Sequence, residues 1–99
     1  MTYQEQVKRL LRTLKENGWE PEAVNYGCGR ISPETEREFI EEVLCTDSCH
    51  LTALHKKTKK EINLFIVLGN NPGELVADYS CPNLGEDKML EEYSRECEE

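Results

Sequence analysis

The sequence has no apolar run approaching the ~18 residues of a membrane span. A transmembrane helix is therefore not expected. Positive charge is scarce, with 12 Lys plus Arg against 20 Asp plus Glu, and the formal net charge is −8. A general nucleic-acid binder needs a positive surface, so that class is disfavoured, although a local basic site is not. Large apolar residues are also few: Leu, Ile, Val and Phe total 22 of 99. That is just above the level at which a highly charged chain stays disordered. Met1 to Arg12 lacks the apolar stretch and small-residue cleavage site of a secretory leader. The expectation is a cytoplasmic protein with reduced thiols. The five cysteines (Cys28, Cys45, Cys49, Cys81, Cys97) are odd in number and match no disulfide framework. No internal repeat or low-complexity linker divides the chain. Its length suits a single domain, residues 1–99, with a stability on the order of 5 kcal/mol.

The apolar residues that are present fall into periodic groups. Tyr3, Val7, Leu10, Leu11 and Leu14 lie on one helical face. Thr2 and Glu5 form a capping-box pattern, and Asn17-Gly18 supplies a stop. This predicts a first helix over 2–17, with Trp19 folding back onto its last turn. Glu20 to Arg30 holds Pro21, Gly27 and Gly29 and reads as a connection with one short extended piece. Ser32 as N-cap, with Pro33 at the first position, predicts a second helix over 33–45 with Phe39, Ile40, Val43 and Leu44 inward. Strands are expected at 49–55, 61–68 and 75–80, and a final helix at 86–97. Asn71-Pro72-Gly73-Glu74 suits a type II turn between the last two strands.

The expected architecture is α+β. Two N-terminal helices pack on a three-stranded antiparallel meander, and a C-terminal helix or tail follows, in the order α-α-β-β-β-α. The middle strand is apolar on both sides. Ile62, Leu64, Ile66 and Leu68 alternate with Phe65 and Val67. Strands covered on one face only alternate cleanly. Each face therefore needs a cover, and either the last helix or a second copy in a homodimer would supply the second one.

Charge is segregated along the chain. The segments 31–49 and 82–99 each carry −5, whereas 1–19 and 50–61 carry +2 and +3. In the second helix Glu34, Glu38 and Glu42 recur every four residues beside Glu41, and Glu91 and Glu92 mark the last helix. These six carboxylates are the expected partner-binding surface, and such a surface attracts basic partners at long range. By size and charge the chain compares with acidic inhibitors carried by phages and mobile elements, some of which mimic nucleic acid. The leading expectation is a non-catalytic protein-binding domain of that type, without a cofactor.

Two other functions fit parts of the sequence. Cys45, Cys49, His50 and Cys81 would make a zinc-stabilised structural module if the fold brought them together, although their spacing is not that of a usual zinc site. Lys56, Lys57, Lys59 and Lys60 at a hairpin tip would touch phosphates in a nucleic-acid binder, but no aromatic residue interleaves with them. Cys28 between two glycines, with His50 or His55 as base, is the one nucleophile pattern to weigh. No phosphate-cradling glycine motif or calcium-loop spacing is present.

Overall fold

The computed structural model describes residues 2–27, 29–68, 75–80 and 86–98. Helix α1 spans Tyr3–Glu16. Thr2 caps it, its side chain accepting from the Glu5 N–H at 3.2 Å. The face at Gln6, Val7, Leu10, Leu11 and Leu14 is buried. Gly18, at φ +86°, ends the helix in a conformation that costs a side chain dearly. Its carbonyl then accepts from the Lys56 N–H at 2.9 Å, tying the helix stop to a distant hairpin.

Strand β1 (Trp19–Asn25) follows directly, then the two-residue β2 (Arg30–Ile31). Helix α2 is Glu36–Leu44. Strands β3 (Ser48–His55), β4 (Glu61–Val67) and β5 (Val76–Tyr79) precede helix α3 (Glu86–Glu98). All pairings are antiparallel, and the sheet order is β2-β1-β3-β4-β5. The described residues thus form an α+β fold with three helices and five strands, in the order α-β-β-α-β-β-β-α. The expected meander is its β3-β4-β5 part. The connection expected at Glu20 to Arg30 is instead a hairpin that completes the sheet. The Asn71 to Glu74 turn lies outside the described residues.

Pro21 hid this hairpin, because a proline inside a sheet loses a ladder hydrogen bond. Its position resolves the conflict. The edge strand β2 covers only Val24 and Asn25, so β1 is itself an edge from Trp19 to Ala23. A register shift between Pro21 and Ala23 adds a bulge there.

Helix α2 starts three residues later than the Ser32-Pro33 signal predicts. Pairing of Arg30 and Ile31 with β1 holds the chain extended just before it. Thr35 is the cap, accepting from the Glu38 N–H at 3.2 Å. Thr35-x-x-Glu38 is also the better capping-box match.

Antiparallel register sorts the sheet into two faces. Cys49, Leu51, Ala53, Ile62, Leu64 and Ile66 point to one side and are at most 3% exposed. Trp19, Val24 and Leu75 join the same core. Helix α1 lies in the middle of the covering layer, with α2 on one flank and α3 on the other. Met89, Leu90, Tyr93 and Cys97 of α3 enter this core, and the Tyr93 hydroxyl donates to the Gln6 carbonyl at 3.0 Å. The expectation that the last helix covers the second face is therefore corrected, since all three helices share one face. No helix among the described residues is long and apolar enough to cross a membrane.

Candidate functional site

The acidic residues of α2 divide into two groups. On the side toward α1, Glu36 pairs with Arg12 at 3.5 Å, and Glu41 pairs with Arg37 at 3.2 Å. These two glutamates line a shallow groove with Lys8 and Arg12. Glu38 and Glu42 of α2, and Glu34 just before the helix, have no cation within ion-pair distance among the described residues; Glu34 lines a small cavity with Lys15, Glu20 and Glu36. Glu38 accepts from the Glu34 N–H at 3.1 Å. The Glu42 carboxylate accepts from the Tyr26 hydroxyl at 2.7 Å, and the same hydroxyl lies 2.6 Å from the Glu42 carbonyl oxygen. Hydrogen bonds thus hold two of the three carboxylates in place without neutralising them.

Glu91 and Glu92 do not join that surface, because α1 stands between α2 and α3. Glu91 pairs with Arg95 at 3.4 Å, and Glu92 is exposed. Glu96 bridges to Arg9 of α1 at 2.9 Å. The basic first helix therefore sits between two acidic ones and binds to each. Exposed ion pairs of this kind contribute at most about 1 kcal/mol each.

The cysteine and histidine candidates are dispersed. Cys45 is exposed just after α2. Cys49 points into the core, and its neighbour His50 projects from the opposite face and stacks on Phe65 at 4.9 Å between ring centroids. His55 meets Trp19 edge to face at 5.0 Å. Cys28 and Cys81 lie outside the described residues. Among the described residues no three metal-ligating side chains come together. The four lysines of the β3–β4 tip are all exposed, and Lys56 pairs with Glu20 at 3.3 Å.

The sheet's second face went unnoticed as a site in the sequence. Its register sets Arg30, Asn25, His50, Phe65 and Asp78 in one row across all five strands. The next row holds Ala23, Thr52 and Asn63, with the Thr52 hydroxyl donating to Asn63 Oδ1 at 2.7 Å. A shallow cavity of about 270 Å³ is lined by His50, Asn63, Phe65, Asp78, Tyr79 and Ser80. The only sequence sign of it was the second apolar set of β4, Phe65 and Val67.

Burial raises three acidic protons. It pushes the Cys49 thiol up to about 11. Tyr26 is raised by burial and then by its bond to Glu42, and Tyr93 by burial and then by Cys97. A group that holds its proton more tightly when folded stabilises the fold only while it stays protonated. That contribution is complete below about pH 9, the ordinary thiol value, and falls as pH rises toward 11, where the unfolded chain has already lost the proton. Urea denaturation is expected to show a loss of roughly 1–2 kcal/mol over that interval, from shifts worth about 1.4 kcal/mol per pKa unit. Cys49→Ala should flatten part of the slope. An equally steep profile in that variant would remove Cys49 from this account.

Comparison with protein-family models, curated proteins and solved structures finds no match. The functional reading rests on the geometry above.

Proposed function

We propose that this chain is a small, acidic, non-catalytic protein-binding domain that presents the outer flank of α2 to a partner with a basic surface. One observation carries the reading. Glu34, Glu38 and Glu42 have no ion-pair partner among the described residues, whereas Glu36 and Glu41 are compensated within the molecule. Uncompensated carboxylates repel one another by a few tenths of a kcal/mol per pair. They gain from an incoming cationic surface what folding leaves unsatisfied. Large basic surfaces are typical of proteins that handle nucleic acid. Occupying such a surface would make this domain an inhibitor by mimicry of nucleic-acid charge.

The test is capture from a lysate of the native host with wild-type protein and with a variant carrying Glu34, Glu38, Glu41 and Glu42 as Gln. Gln keeps the shape and the acceptor oxygens that Glu38 and Glu42 use. The variant should melt within about 3 °C of wild type, because surface changes of this kind cost little. Its capture of the partner is expected to fall about tenfold or more, and wild-type capture should weaken as salt is raised. Equal capture by both proteins at low salt would overturn the reading.

A further inference from the structure

No helix among the described residues covers the second sheet face, which lies opposite the helical layer, so its role is separate from that of α2. We propose that it is a recognition site for an arginine side chain of a protein partner, with Phe65 as the stacking surface and Asp78 as the carboxylate. His50 and Asp78 pair with Phe65 from opposite sides in the register. The His50 ring lies nearly parallel to Phe65, with 25° between their planes. A flat cation stacked on the other side of Phe65 meets Asp78 at its edge, within the cavity completed by Asn63 and Ser80.

Charge on this face selects the occupant. Arg30 is paired with Glu22 at 3.8 Å, and Lys56 with Glu20 at 3.3 Å. Asp78 accepts a hydrogen bond from the Tyr79 N–H at 2.9 Å but has no cation among the described residues, and neither has Glu61. Beside Phe65 the face therefore combines an aromatic ring with a carboxylate, Asp78, that has no ion pair among the described residues. Guanidinium is planar, stacks on aromatic rings and binds carboxylates through a rigid fork of donors, whereas ammonium is a hydrated point charge. A nucleobase would also stack on Phe65, but its phosphates would approach Asp78 and Glu61. A second copy of this chain would bring the same carboxylates face to face.

Titration of isotopically labelled protein with acetyl-Gly-Arg-Gly-amide, followed by amide resonances, tests the proposal. The peptide is expected to shift His50, Asn63, Phe65 and Asp78. The lysine counterpart should bind at least fivefold more weakly. Asp78→Asn, an exposed change that leaves the core intact, should weaken arginine binding at least fivefold, and Phe65→Leu should do the same. The α2 Gln variant should bind the arginine peptide as wild type does, which separates this site from the α2 surface. Equal binding of the two peptides, shifts confined to the helical layer, or insensitivity to Asp78→Asn would each overturn the proposal. So would shifts of the same resonances by an oligouridine but not by the peptide, or by raising protein concentration alone.

Discussion

Replacing Trp19 with alanine is expected to cost about 3–5 kcal/mol, the usual range for a buried large aromatic. For a domain with a stability of about 5 kcal/mol, that removes most of it. Trp19 is 1% exposed and follows Gly18, whose φ of +86° turns the chain from α1 into β1. Its ring fills the space between the end of that helix and His55 of β3, the residue opposite it in the ladder. Three elements thus meet on one side chain, and alanine would leave a cavity that none of them can close. Trp19→Phe should recover more than half of the loss. Urea denaturation followed by circular dichroism measures both, and a cost below about 1 kcal/mol for alanine would show that the corner does not depend on the ring.

Where local chemistry decides the structure, the sequence was readable. Thr2, Glu5 and Gly18 bound α1 as expected, and the strands at Ser48–His55 and Glu61–Val67 fall within a residue of their predicted limits. Reading failed where tertiary context overrides local preference. Pro21 argues against a strand, yet the short reach of β2 leaves it on an edge. Ser32-Pro33 is a sound helix start by itself, but pairing of Ile31 with Val24 holds the chain in the sheet up to Ile31, and the helix starts only after Thr35. The acidic stripe was visible as spacing. Its division into compensated and uncompensated carboxylates was not, because Arg12 and Tyr26 are distant in sequence. The row from Arg30 to Asp78 was equally hidden, since it depends on the register of five strands.

Folding changes what the charge blocks mean. The −5 of 31–49 and the −5 of 82–99 flank the basic face of α1, and ion pairs from Arg12 and Arg9 join the three helices. Part of the segregation seen along the chain thus serves cohesion of the helical layer. The remainder is the set of carboxylates with no ion pair among the described residues, which the proposed function assigns to a partner. That remainder is the reason to test Glu34, Glu38 and Glu42 before Glu91, which Arg95 already balances.

Removing residues 81–99 is expected to abolish cooperative unfolding altogether. Met89, Leu90, Tyr93 and Cys97 are each at most 5% exposed in the common core. Burying a large apolar side chain stabilises by about 1.5–3 kcal/mol, so three or four of them together match or exceed the stability of a small domain. Truncation also uncovers the side of α1 on which α3 rests, and it deletes the Tyr93 bond to the Gln6 carbonyl. Tyr93→Phe isolates that bond and should cost only about 1 kcal/mol, because the ring stays in place. Leu90→Ala should cost about 2–5 kcal/mol. Thermal unfolding followed by circular dichroism distinguishes these cases. A truncated chain that melts cooperatively within about 5 °C of the full one would make α3 a dispensable tail. Its acidic residues would then be free to act apart from the fold, as a docked helix cannot.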